Sequence, residues 1–319
     1  MNSQLWVEKY RPLNIASIKS QDDIIDSFKN IIKTKNMPHL LFFGPSGCGK
    51  TSTILALARD LFGDVFKERV IELNASDERG IKVVRDKIKI YAKSAINVKE
   101  NIPNWKIIIL DEADSMTSDS QFALRKIMED YSSITRFCII CNYHHKIIDP
   151  IISRCSLYRF RPIKKTEQNK IVNSICLKEN IKISRETRQL ITTISRGDLR
   201  KCINLVQKCK NLFFKNIEKK YIYEILGIIE LSELISLVNL AIDKREKSVL
   251  KKLNHYLKES YSLINQITFI IDIILNNEKL NDKQKSKILI LLSDIDQLLL
   301  VGCNEHILFY KLFYYIMSI

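Results

Sequence analysis

Glycine and proline are scarce in this chain, with eight and six in 319 residues, and no internal repeat or low-complexity tract stands out. Long apolar runs are missing as well. The most apolar segments, near 267–275 and 288–301, are broken by Asp272, Asp294, Asp296 and Gln297, so no membrane span is expected. The first residues, MNSQLWVEKYRP, carry no apolar stretch and no small-residue cleavage site, so they do not read as a secretory signal. The eight cysteines show no paired spacing. Cys138 and Cys141 form a CxxC, but within RFCIICN they read as part of a buried strand. Three residues apart on a strand, two side chains point to opposite faces and cannot share a metal or a disulfide. A reducing, intracellular space is the expectation. Isoleucine, lysine and asparagine replace leucine, arginine and glycine throughout, as in a protein encoded by an AT-rich genome.

Against those absences stand 46% hydrophobic and 27% charged residues, the balance of a globular chain long enough for two or three domains. The formal charge of +15 is unevenly spread. Residues 1–162 hold 25 basic and 19 acidic side chains, residues 163–228 hold 15 and 6, and residues 229–319 hold 11 of each. A polyanionic partner should therefore meet the first two regions and not the neutral last one.

Buried strands are expected at 39–43, 69–75, 106–114 and 136–142, with helices between them at about 81–95 and 118–131. That alternation implies an α/β domain built on a parallel sheet with helices on both faces. After RFRPI (159–163) the pattern becomes helical to the end, which gives boundaries near Pro162 and, less sharply, near 228–232. The expected domains are 1–162, 163–228 and 229–319.

The strand HLLFF runs into Gly44-Pro45-Ser46-Gly47-Cys48-Gly49-Lys50-Thr51, and a helical pattern beginning at Ser52 follows. This is GxxxxGK[ST] in the strand–loop–helix context that makes the motif meaningful. Its backbone N–H groups turn inward around phosphates and the helix adds its positive N-terminal end. Lys50 would neutralise the β- and γ-phosphates, and Thr51 would ligate Mg²⁺. The apolar strand 107–110 then delivers Asp111 and Glu112 to its C-terminal end, where open α/β sheets bind ligands. One carboxylate suits a hydrated Mg²⁺ and the other a water to be polarised. Asp-Glu-Ala-Asp at 111–114 invites comparison with DEAD-box helicases. The helical continuation, and Ser132-Ser133-Ile134-Thr135 where a Ser-Ala-Thr motif would stand, argue against it.

Several separated motifs together resemble the small subunits of replication factor C, the clamp loader among the AAA+ ATPases. They are Trp6-Val7-Glu8-Lys9-Tyr10-Arg11-Pro12, the phosphate loop, Glu72 to Gly80, Asp111 to Asp114, Leu124 to Glu129, Ser153-Arg154-Cys155 and Gly197-Asp198-Leu199-Arg200-Lys201. The resemblance covers roughly 4–210 and implies an AAA+ P-loop domain, a helical lid and a C-terminal helical collar. It implies that Tyr10, Arg11 and Pro12 lie by the adenine and that Asn142 is a first sensor of the γ-phosphate. Arg200 would be a second sensor, and Arg154 an arginine finger that reaches the ATP of a neighbouring subunit. The implied cofactors are ATP and Mg²⁺. The implied partners are other loader subunits in a hetero-pentamer, the sliding clamp and primer–template DNA. The implied location is the nucleus, or an intracellular viral replication site.

Within 79–106 there are eight basic and two acidic side chains. Lys82, Arg85, Lys89 and Lys93 fall on one helical face. Arg79, Lys82, Arg85 and Lys89 are the expected DNA-phosphate contacts, since the resemblance places this helix on the inner wall of a ring around duplex DNA. Phe122, Ile127 and Met128 are expected in the core. The +9 lid region shows no clear stripe. Competing expectations are another AAA+ DNA machine, such as a branch-migration helicase, and a scaffold subunit that binds nucleotide without turnover.

Overall fold

A computed structural model describes residues 5–75, 81–94, 102–213 and 216–319. The chain divides into two compact units, Met1–Lys208 and Cys209–Ile319. In the first, five strands form an all-parallel sheet: β1 (His39–Phe43), β2 (Val70–Asn74), β3 (Lys106–Asp111), β4 (Thr135–Cys141) and β5 (Cys155–Arg159). Their order is β2-β3-β4-β1-β5. Four of the five match the expected strands. The fifth, CSLYR, was not expected: its apolar and polar residues alternate in the manner of a half-exposed edge strand, without the continuous apolar run that marks β3 and β4.

Side chains alternate across the sheet and supply two separate cores. Leu40, Phe42, Ile107, Ile109, Cys138 and Ile140 face one cluster with the helices Asp22–Thr34 and Lys50–Phe62. Leu41, Ile108, Leu110, Phe137, Ile139 and Cys141 face the other, with the helices Ile81–Lys93 and Ser118–Asp130. Cys138 and Cys141 therefore lie on opposite faces, and burial pushes both thiols well up. Ile127 and Met128 are buried as expected, but Phe122 is half exposed. The inward face of its helix is set by Ser120, Gln121, Leu124, Ile127 and Met128, and position 122 points away from that stripe.

Helices Lys165–Lys178, Arg185–Ser195 and Leu199–Phe213 follow the sheet. A two-residue extended segment, Lys182–Ile183, interrupts the expected all-helical stretch. Ser184 caps the middle helix by accepting the Thr187 N–H at 3.0 Å.

The second unit is a bundle of Leu231–Ile242, Glu246–Lys258, Leu263–Leu275, Asp282–Leu300 and Glu305–Ser318 around Leu237, Leu253, Ile270, Ile295, Phe309 and Phe313. Residues 209–228, which the charge profile groups with the lid, fall in this unit. Fully buried Gln266 explains why: its amide donates to the Gly227 carbonyl (2.8 Å) and its oxygen accepts the Ile229 N–H (3.1 Å). The chain leaving Lys219–Leu226 is thereby sewn to the bundle. No single described helix is long and apolar enough to cross a membrane.

Candidate active site

The C-terminal ends of β1, β3 and β4 bring together residues as far as 92 positions apart in the chain. Gly44, Gly47 and Gly49 all have positive φ (147°, 67° and 96°), which L side chains adopt only with strain. The loop thus turns tightly into the helix Lys50–Phe62. Lys50 is 8% exposed, and its ammonium donates to the carbonyls of Gly44 (2.6 Å) and Pro45 (2.8 Å) and to Asn142 Oδ1 (2.9 Å). Gly44 and Pro45 act here through their carbonyls, while Ser46, Gly47, Cys48, Gly49, Lys50, Thr51 and Ser52 line the cleft. The Cys48 thiol donates to Pro45 O at 2.9 Å, and burial pushes its pKa up, so it behaves as packing and not as a nucleophile.

Thr51 Oγ1 donates to Asp111 Oδ2 at 2.6 Å. A hydroxyl and a carboxylate at that separation form an oxygen-only donor set, which fits a small hard cation such as Mg²⁺. Glu112 follows in the left-handed region (φ 55°), a strained conformation for a residue with a side chain. It lines the cleft, and its N–H donates to Asp111 Oδ1 (2.9 Å). Asp114 accepts the backbone N–H groups of Asn142 (3.3 Å) and Tyr143 (3.4 Å), and so fixes the end of β4 against the turn after β3.

The opposite wall comes from Tyr10, Arg11 and Pro12 and from Leu199 and Arg200 at the start of the helix Leu199–Phe213. Arg11 pairs with Glu8 at 2.6 Å. The Tyr10 hydroxyl donates to Glu179, which also binds Lys9 at 2.5 Å, and desolvation followed by that carboxylate raises the Tyr10 pKa. The Trp6 N–H donates to Gln207 Oε1 at 3.0 Å. Sequence patterns gave no sign of Glu179 and Gln207. They belong to no motif, and only the return of the helices after the sheet to the N-terminal segment, 170 and 201 positions away, gives them a role.

Arg154 does not join this cleft. It stands beyond the turn Asp149–Ile152, paired with Glu129 at 2.6 Å and donating to Pro150 O at 2.7 Å. Of the basic residues expected to meet DNA, Lys89 is exposed on the helix Ile81–Lys93. Arg79, and the side chains of Lys82 and Arg85, lie outside the described residues. The far end of that helix is pinned by fully buried Lys106, whose ammonium donates to Ser94 O (2.6 Å) and Oγ (2.8 Å) and lies 4.8 Å from the Tyr91 ring centroid.

A parallel sheet of order 2-3-4-1-5, with a phosphate loop after β1 and an acidic pair after β3, defines a P-loop ATPase of the AAA class. The model of the ATPase family associated with various cellular activities matches residues 40–163, and that of the replication factor C C-terminal domain matches 229–313. The chain is 41% identical to replication factor C subunit 2 of Saccharomyces cerevisiae, covering 95% of this chain and 90% of that one. It is 43% identical to subunit 4 of Homo sapiens (95% and 85%) and 44% identical to the small subunit of Staphylothermus marinus (76% and 74%). Among solved structures, the RuvB Holliday junction branch migration motor of Thermotoga maritima superposes with a TM-score of 0.54 over 76% of this chain and 85% of that one. At 14% identity this is a likeness of fold alone. The chain belongs to the replication factor C small-subunit family and is an ATPase subunit of the clamp loader of DNA replication.

Proposed function

We propose that the cleft binds ATP with Mg²⁺ and hydrolyses it as the assembled loader places a ring clamp on primer–template DNA. The observation that carries this reading is the convergence of Lys50, Thr51, Asp111 and Asn142 at the C-terminal ends of β1, β3 and β4, within 2.6–2.9 Å contacts. In this reading the loop N–H groups and Lys50 hold the β- and γ-phosphates, and Tyr10, Arg11 and Pro12 hold the base. Thr51 and Asp111 hold the hydrated Mg²⁺, whose charge offsets that of the phosphates. Glu112 orients and polarises the attacking water. Asn142, already hydrogen-bonded to Lys50, reads the γ-phosphate, and Arg200 reads it from the lid.

Arg154 does not line its own cleft, which suits a residue that serves the ATP of a neighbouring subunit. Catalysis then waits for assembly, because the transition-state charge is fully met only when that neighbour is present. Arg79, Lys82, Arg85 and Lys89 contact DNA phosphates, and residues 229–319 form the collar that packs with other subunits in a hetero-pentamer. Residues 1–162 act as the nucleotide-binding body and the part of 163–228 that lies in the first unit, up to Lys208, as its lid. The nucleus, or a viral replication site inside the cell, is the place of action. ATP turnover by the isolated chain should be slow and should rise when partner subunits, clamp and DNA are added. Equal rates in both conditions would count against the proposal.

A further inference from the structure

Glycines bring the phosphate loop, the segment 160–163 and the start of the lid helix within van der Waals range of one another. A Cβ on Gly44 would lie 2.2 Å from the Phe160 carbonyl oxygen, and one on Gly197 would lie 2.6 Å from Pro162 Cβ. One on Gly47 would lie 1.8 Å from Asp198 Oδ1. The segment 160–163 is thus clasped at both ends. The Phe160 N–H donates to Phe43 O (2.8 Å), just before the loop, and the Ile163 N–H donates to Gly197 O (3.3 Å), just before the lid helix.

Asp198 completes this arrangement. Its Oδ1 accepts the Lys201 N–H at 3.1 Å, which caps the helix, and its Oδ2 accepts from the Ser46 hydroxyl at 3.3 Å. The next residue, Leu199, donates its N–H to Gly47 O at 3.1 Å. One carboxylate therefore serves the lid helix and the crown of the loop together. The Leu199–Gly47 bond joins backbone to backbone and has no rotamer through which to yield, so a shift of Gly47 moves the helix start and, one residue on, Arg200.

We propose that Asp198 is a positioning residue that locks the crown of the phosphate loop to the lid, so that occupancy of the loop sets the attitude of Arg200 over the cleft. This rests on the reading of the cleft as a nucleotide site. A residue that only caps the helix would behave differently. Asn caps as well as Asp, and the effect of a cap would be independent of what stands at positions 46 and 47.

The test is a pair of double-mutant cycles on the full-length chain, read as the Kd of a fluorescent ATP analogue. Gly47→Ala should weaken binding about tenfold, since its methyl overlaps the Asp198 carboxylate. In an Asp198→Ala background the loss should fall to about threefold, the part due to backbone strain at a φ of 67°. Ser46→Ala leaves the backbone undisturbed and covers the case in which Gly47→Ala prevents folding. It should weaken binding in the parent and weaken it distinctly less in the Asp198→Ala chain. Additive losses in the cycles would overturn the proposal, and nucleotide binding by the parent would then leave the cleft assignment standing. A parent chain that binds no nucleotide would overturn both.

Discussion

Gln121 is a test of how firmly the helix Ser118–Asp130 is tied to the strand that carries Asn142. It is 2% exposed and makes three hydrogen bonds. Its amide donates to Met116 O (3.2 Å) and Lys146 O (2.9 Å), and its oxygen accepts the Ile148 N–H (2.8 Å). Replacing it with leucine keeps most of the volume, so the cost is polar. Three backbone groups, the carbonyls of Met116 and Lys146 and the N–H of Ile148, lose their partner. At about 1–3 kcal/mol for each orphaned group, and about 1 kcal/mol recovered from the apolar side chain, the loss should be at least about 2 kcal/mol. That is a large part of the ~5–15 kcal/mol that holds a domain. Urea unfolding followed by tryptophan fluorescence isolates the effect, because both tryptophans, Trp6 and Trp105, are buried in the first unit. Gln121→Glu keeps the acceptor for Ile148 but faces a carbonyl with a carboxylate. It should be as damaging at neutral pH and recover on acidification, when the protonated acid can donate. A shift below about 1 kcal/mol for Gln121→Leu, or no recovery of Gln121→Glu in acid, would refute the reasoning.

Three further outcomes are expected. Glu112→Gln should lower turnover at this site by roughly 10²–10⁴-fold with nucleotide affinity retained, measured in single-turnover assays of the complex. Charge reversal at Lys82, Arg85 and Lys89 should weaken DNA binding and flatten its dependence on log salt by roughly 0.9 for each phosphate no longer neutralised, while nucleotide affinity is unchanged; an unaltered slope would return that helix to an ordinary solvated face. Burial, with Arg69 as the lesser cause, lowers the Lys106 pKa to about 8 from the 10.5 of an exposed lysine. Below about pH 8 both folded and unfolded chains carry the proton, so the cost of burying the charge is fully present. Between 8 and 10.5 the unfolded chain binds more protons and stability rises with pH. Lys106→Met should lack that rise when denaturation midpoints are compared across this range.

Much of the candidate site was legible because it is made of contiguous stretches with fixed mechanics. A strand, a glycine turn and a helix dictate where Lys50 and Thr51 point, and an apolar strand ending in Asp111-Glu112 dictates where the carboxylates emerge. Asn142 and Arg200 could be placed through their motifs. The CxxC resolved itself by strand periodicity alone, and the structure puts its two thiols in separate cores. What could not be read was every relation carried by one residue against a distant one. The fifth strand has too short and mixed a pattern to announce itself, and it exists because β1 offers it a free edge. Phe122 took the solvent side because a helix has one inward face, and Gln121 and Leu124 hold it.

Local pattern and composition were enough to establish the class of chemistry and the place where positive charge accumulates. Other features emerge only in the folded chain. Glu179 and Gln207 anchor the N-terminal segment to the lid, Gln266 draws residues 227–229 into the last bundle, and Asp198 rests where a side chain on Gly47 would be. Each of these is a single polar or steric contact between segments far apart in the chain. Such contacts leave no period or spacing behind, because their geometry exists only once the backbone has closed around them.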